Sequence, residues 1–413
     1  MNKNIKLAVA GAVLALSASA ANAGIIIPAG DWTLDIGGNV NTFATWTKSD
    51  SRNTIQGALT SNVADSTLNT VQNMTTGLLP NFLSIGGSTR QNDLDVTFAI
   101  SIQPGTTTTG PLQSSGQENR QAFLTFGDKS WGSIKLGRDL GIFASDAILS
   151  DMTLLGVGAP TSATAAGTTT LGRIGAGYIY ADWKGQVSYT TPNFNGFQAT
   201  VGLTQAYNAS GTSAGAPGTS VTTTGRGGAS PSYEGKASYS FAANDVTGKV
   251  WVSGIAQKID FRGVLGVPED TVAYGGDIGA NISMAGFGLT GYYYGGQGIG
   301  TTGFLSDSFN RSAATAAGTI KLRDSDGGYV QATYVLPTKT KLGVSWGQSN
   351  LDLASAEAAG ALVKTNEMWT AGVYHPLTKH LNLVAEYNHL TSESQTGSEN
   401  KSNSGSLGAI LFF

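Results

Sequence analysis

The sequence predicts an all-β protein, a transmembrane antiparallel β-barrel of about 16 strands. Three observations carry this. Apolar residues recur at every second position in short segments that pair into hairpins along the chain. After residue 23, no apolar run is long enough for a membrane helix. Tight turns alternate with long polar loops, the rhythm of a barrel whose two ends face different compartments. Composition agrees, with 57 Gly, no Cys and 12% charged residues in 413. The mean hydropathy of −0.04 is what strands with one polar face should average.

Residues 1–23 read as a cleaved secretory signal peptide. Lys3 and Lys6 precede the apolar run Leu7 to Leu16, and Ala21-Asn22-Ala23 forms an A-x-A cleavage site. The run is too short to span a bilayer well and ends in small residues, which argues against an anchor. The mature chain, 24–413, is expected to start at Gly24 as one barrel domain. The chain has 24 basic and 27 acidic residues; without Lys3 and Lys6 the balance is 22 against 27, a net charge of −5. That balance, without a basic patch, argues against a nucleic-acid partner. With no Cys, an exported chain does not rely on disulfides.

The first strand is expected from Trp32 to Thr47. Trp32, Leu34, Ile36, Val40, Ala44 and Trp46 share one face, and Asp35, Asn39 and Asn41 the other. A polar loop, Lys48 to Leu79, precedes a hairpin from Phe82 to Thr89 and Leu94 to Gln103, turning at Gln91-Asn92-Asp93. Leu94, Val96, Phe98, Ile100 and Ile102 give the cleanest two-residue period in the chain. Ala122, Leu124 and Phe126, then Ile134 and Leu136, mark two strands around the turn Gly127 to Gly132. About 35 residues without a clear strand follow, a length unusual for an inert connection.

Beyond that loop, Gln186 to Thr190 leads through the turn at Pro192 and Gly196 to a strand exposing Phe197, Ala199, Val201 and Leu203. Asn208 to Ser230 is Gly/Ser/Thr-rich without a phosphate-loop pattern, and is expected to be solvated. Hairpins follow at Tyr233 to Phe241 with Lys249 to Gln257, and at Thr271 to Met284 with Phe287 to Tyr294. Tyr292, Tyr293 and Tyr294 suggest an interfacial girdle. Two more hairpins, Tyr329 to Leu336 with Thr340 to Ser349 and Trp369 to Tyr374 with Leu381 to His389, precede a last strand from Gly405 to Phe413.

Several of these stretches resemble the Gram-negative general porins. Arg120 to Gly156 is similar to that family's fourth and fifth strands and third loop, the loop that folds inward and narrows the pore. VSYTTPNFNGF, Val187 to Phe197, is similar to the family's Y-x-S-P-x-F-x-G-F turn. YVLPTKTKLGVSW and GVYHPLTKHLNLVAEYN resemble its Y-x-L-S-K-R-T-x-L-x-x-x-Y hairpin, and Phe413 its aromatic last strand. Gly24 to Asp31, ahead of Trp32-Thr33-Leu34-Asp35, departs from the family's usual start. The resemblance implies an outer-membrane homotrimer in contact with membrane lipid and lipopolysaccharide. It implies a water-filled channel for small hydrophilic solutes and ions, without a cofactor. A substrate-selective channel of similar architecture is the alternative.

The resemblance also implies a constriction loop at about 139–175, opposing charges across a narrow pore. Lys135, Arg138 and Arg173 flank this loop, and Asp139, Asp146 and Asp151 lie in it. The family's P-E-F-like acidic tip is absent. Strict alternation from Ile134 and Leu136 points Arg138 at lipid, where it costs about 2–4 kcal/mol at mid-membrane. A bulge at Gly137 would turn it into the pore, the assignment that this energy favours; a rim position from which it snorkels is the alternative. The loop's apolar residues, Ile142, Phe143, Ile148, Leu149, Met152 and Leu154, are too many to leave in water and are expected to pack on the inner wall.

Catalysis is not indicated. His375 and His380 flank one turn and His389 ends a strand, with no Ser or acid placed beside them in a recognisable constellation. They also lack metal-ligand spacing on one element. Hairpins fill the chain, leaving no passenger of the kind an adhesin or autotransporter carries.

Overall fold

The computed structural model describes residues 24–50, 53–60, 70–108, 110–160, 167–213, 220–261, 270–311 and 320–413. The expected leader, 1–23, lies outside them. Sixteen antiparallel strands form a closed barrel. They are β1 Trp32–Ser49, β2 Phe82–Gln91, β3 Leu94–Pro104, β4 Gln117–Asp128, β5 Gly132–Leu140, β6 Trp183–Thr190, β7 Phe197–Thr204 and β8 Ser232–Ala243. The second half comprises β9 Val246–Asp260, β10 Asp270–Met284, β11 Phe287–Gln297, β12 Asp324–Val335, β13 Lys341–Leu351, β14 Val363–Pro376, β15 Leu381–Ser394 and β16 Glu399–Phe412. Closure comes from β1, which pairs with β2 from Thr33↔Ser88 to Asn39↔Phe82 and with β16 from Asn39↔Phe412 to Ser49↔Ser402.

Alternation sets the two faces. On β1, Val40 and Trp46 are exposed, while Asn39, Asn41, Thr45 and Thr47 are buried. On β3, Ile100 and Ile102 are exposed, while Ser101 and Gln103 are buried. The inversion of the usual pattern, apolar out and polar in, is that of a wall between lipid and a polar interior. Of the three consecutive tyrosines, only Tyr293 faces outward; Tyr292 and Tyr294 are buried inside, so the expected girdle reduces to one residue here. The two-residue period requires this, because neighbours on a strand face opposite ways.

Three local features depart from the sequence reading. Ile25–Ala29 is a short strand that pairs with β1 from Ile25↔Ile36 to Ala29↔Trp32. It covers the part of the β1 edge that extends beyond β16, whose end is marked by the Gly38 and Phe413 backbone bonds of 2.9 and 3.1 Å. Second, Thr70–Thr75 pairs with β1 above β2, so one wall strand is split at 76–81, where Pro80 has no N–H to donate. Asn39 and Asn41 stitch the gap, donating to Pro80 O (3.0 Å) and Leu79 O (2.9 Å). Third, Asn208 to Ser230 is not a featureless loop. Ser210–Ser213, Ser220–Thr222, Phe309–Arg311 and Ile320–Leu322 form a separate four-stranded sheet. It is anchored by buried Phe309 against Phe261 and by Arg323, which ion-pairs with Glu357.

Candidate functional site

Between β5 and β6 the chain leaves the wall at Gly141 and returns at Asp182. The path begins with a short helix, α1 Ser145–Ser150, entered through Ala144 in the left-handed region. A 3-10 turn, Met152–Leu155, follows, with the Asp151 carboxylate accepting from Thr153 N. No propensity explains so short a helix; its partners are inward-facing wall residues. Tyr329 on β12 donates to Ala147 O (2.8 Å), and Gln331 on the same strand donates to Ser150 O (2.7 Å) and accepts from Met152 N (2.9 Å). Phe143, Ala147 and Ile148 join one apolar cluster with Trp251, Tyr292 and Tyr329 of the wall.

Two buried carboxylates clamp the first half of this path. Glu234 on β8 accepts from Ile142 N and Phe143 N, both at 2.8 Å, and its other oxygen accepts from Lys184 and Thr204. Glu386 on β15 accepts from Val157 N and Gly158 N, again at 2.8 Å, and from the Tyr374 hydroxyl at 2.6 Å. Two N–H groups on one carboxylate oxygen are charge-assisted bonds, stronger than neutral ones. The segment is thus tied to β8 at its start and to β15 beyond the 3-10 turn. Gly156 permits the second clamp: a Cβ there would lie 2.0 Å from Glu386 Oε1.

The sequence-derived residues separate into distinct settings. Asp146 lies between two wall cations, accepting from Lys236 at 3.1 Å and from Lys249. Burial resists its ionisation, but the two ammonium groups outweigh that and hold its carboxyl below the usual carboxylate range. Lys135 pairs with Asp139, which also accepts from Gln121 at 3.0 Å. Asp151 is buried and accepts from Thr153, from Tyr178 OH (2.8 Å) and from Arg173 N (3.3 Å). Burial, then the Asp151 charge, pushes the Tyr178 hydroxyl well above its ordinary value. Arg173 is fully buried, donating to Met368 O and Thr370 on β14 at 2.9 Å, so it is a tether of the loop to the wall.

Arg138 is not among them. The ladder through β4, β5 and β6 keeps its register, Leu136↔Leu124, Gly137↔Phe123 and Arg138↔Ala122 on one side and Arg138↔Gly185 on the other. Without an inserted residue at Gly137, alternation holds and the exposed Arg138 side chain shares the outer face of Ile134 and Leu136. The pore assignment is corrected to the outer wall.

Sequence reasoning missed Glu234, Glu386, Lys236 and Lys249. Their signal was present. Tyr233 and Tyr387 are exposed on the outer face, so Glu234, Lys236 and Glu386 fall on the inward parity of the same strands, where a charge needs a partner. Which partner is not a property of the strand.

A family model of Gram-negative porins matches residues 9–395. No curated protein sequence matches the chain significantly. Among solved structures, the outer membrane channel DcaP of Acinetobacter baumannii is similar over 95% of this chain and 100% of its own, with a TM-score of 0.67 at 17% identity. OmpF of Salmonella typhi, in complex with daunomycin, is similar over 94% and 100%, with a TM-score of 0.59 at 15% identity. Outer-membrane expressed OmpT of Vibrio cholerae covers the same shares, with a TM-score of 0.53 at 13% identity. At these identities the structures speak for the fold.

Proposed function

Because the chain belongs to the Gram-negative porin family and is an outer-membrane channel for passive diffusion, we propose that residues 141–160 and 167–182 form its constriction and that the lysines of the facing wall set its selectivity. One observation carries this: the charges on this wall are unequally accessible. The side chains of Lys135, Lys236 and Lys249 are 17%, 25% and 30% exposed, whereas their partners Asp139 and Asp146 are 4% and 8% exposed. A passing ion meets ammonium groups, with the carboxylates held behind them. At separations below the Debye length of about 8 Å these groups act with little screening. The channel therefore prefers small anions and hydrophilic solutes carrying negative charge.

Planar-bilayer reversal potentials in a salt gradient test this. Lys236→Gln with Lys249→Gln should move the potential toward cation preference, and Lys135→Gln should move it less, since one ammonium is lost instead of two. Unchanged potentials in both variants would place the selective step elsewhere. The alternative, a substrate-selective channel, predicts saturable uptake of one solute class in proteoliposomes, against uptake ordered by size and charge alone.

We further propose a homotrimer exported by the cleaved leader 1–23. One similar structure, OmpT of Vibrio cholerae, is described as a trimer form, and the long apolar outer face offers the surface.

A further inference from the structure

Halfway along β1 the wall departs from a regular ladder. Phe43 pairs with Thr75 and Asn39 with Phe82, so residues 40–42 of β1 face residues 76–81, three positions against six. A β-bulge usually inserts one extra residue; this one inserts three. Irregular backbone at membrane depth is tolerated only where protein or a cavity takes it in, because lipid offers no hydrogen bonds. Here the extra residues turn inward, and Thr76, Leu78, Leu79 and Asn81 are all buried. Leu78 joins the apolar cluster of Phe143 and Ile148, and Leu79 joins a second one with Phe43, Val157 and Phe412.

The inward turn carries backbone groups to the constriction segment. Leu78 N donates to Gly156 O (2.8 Å), and Thr170 N donates to Gly77 O (3.1 Å). The Thr76 hydroxyl donates to Thr168 O at 2.6 Å, and the Thr169 hydroxyl donates to Leu78 O at 2.7 Å. Gly77 has no room for a side chain, since a Cβ there would lie 2.3 Å from Gly156 O. Glu386 thus holds residues 157 and 158, while the bulge holds 156 and 168–170. One side chain sets the bulge itself. Asn41 Oδ1 accepts from Gly77 N (2.8 Å), and Asn41 Nδ2 donates to Leu79 O (2.9 Å) and to Asn39 Oδ1 (2.7 Å). Asn41 N donates to Asn81 Oδ1 (2.6 Å). The buried amide gives the bulge the donor and the acceptor that a neighbouring strand gives elsewhere. Resting on the constriction reading above, we propose that Asn41 is a positioning residue of the channel. Through the bulge at 76–81 it fixes where residues 156 and 168–170 stand in the lumen, and so holds the pore at one width.

Single-channel recording of the full-length protein in planar bilayers tests this. The parent should show a steady open level. Asn41→Ala strips Gly77 N and Leu79 O of a partner. It should raise the time spent at a second, higher level about tenfold, the shift that one lost buried hydrogen bond gives an equilibrium. Thr45→Ala is the control for a merely weakened wall. Thr45 is buried on the same face of β1, and its hydroxyl donates to Asn73 O (3.3 Å) in the paired part of the ladder. Its record should match the parent. The chain has no cysteine of its own, so Thr76→Cys with Thr168→Cys can link the bulge to the segment. Added to Asn41→Ala, that pair should restore the steady level when oxidised and release it when reduced. Gly77→Ala keeps Asn41 and pushes on Gly156 instead; it should shift the open level by itself, and it reads the bulge where Asn41→Ala does not assemble. Parent-like records from Asn41→Ala and Gly77→Ala would overturn the proposal. So would equal switching in Thr45→Ala, or switching that persists in the oxidised form. If deleting Ser145 to Thr153 still changed conductance in those cases, the constriction would stand without Asn41.

Discussion

Gly156 and Asp146 show how single atoms hold the loop. At Gly156 the absence of a side chain lets two backbone N–H groups reach the Glu386 carboxylate. Gly156→Ala should displace them and leave buried polar groups unpaired, a cost of about 1–3 kcal/mol. Denaturant unfolding in detergent should register that loss together with a changed single-channel conductance; a variant matching the parent in both would remove Glu386 as a clamp. Asp146 is a pH probe. Its folded pKa lies below the ordinary value, so its tether to Lys236 and Lys249 is complete above about pH 4 and is lost only as pH falls through the lower folded value. The stability difference between the parent and Asp146→Asn should therefore stay constant from pH 7 to about 4 and shrink below. Its disappearance between pH 7 and 5 would mean that the two lysines do not hold this carboxylate.

At the scale of elements, the loop is anchored by wall strands distant in sequence. Its helix rests on β12, its first residues on β8, and its return on β14. Deleting Ser145 to Thr153 removes the helix, Asp146 and Asp151 together, and frees Lys236 and Lys249. Single-channel conductance should rise and anion preference should strengthen, while the wall ladder stays intact. If conductance is unchanged, these residues do not constrict the channel.

For the whole molecule, barrel closure makes every wall strand depend on its neighbours, and no edge remains to fray first. Unboiled protein should migrate differently from boiled protein in detergent gels, and light scattering should give a mass of three chains for the unboiled form. A single-chain mass would sink the homotrimer. A circular dichroism spectrum dominated by helix would sink the barrel itself.

The alternation of β1, β3 and β16 was legible residue by residue, because a strand's facing depends only on parity once one face meets lipid. Turns such as that at Pro192 and Gly196 were legible from backbone chemistry. From those the strand number followed, whereas the inward course expected for the loop came from the family resemblance and from the loop's apolar residues. Parity also pointed Arg138 outward, and it was misread only when a bulge was invoked to save energy that a rim position already saves. What the sequence left open is every pairing across the lumen. Asp146 meets Lys236 and Lys249, and Val157 meets Glu386, over separations of about 90 to 230 residues. Those partners are chosen by the curvature of the closed wall, which brings distant strands to face one loop, and no local pattern records that distance.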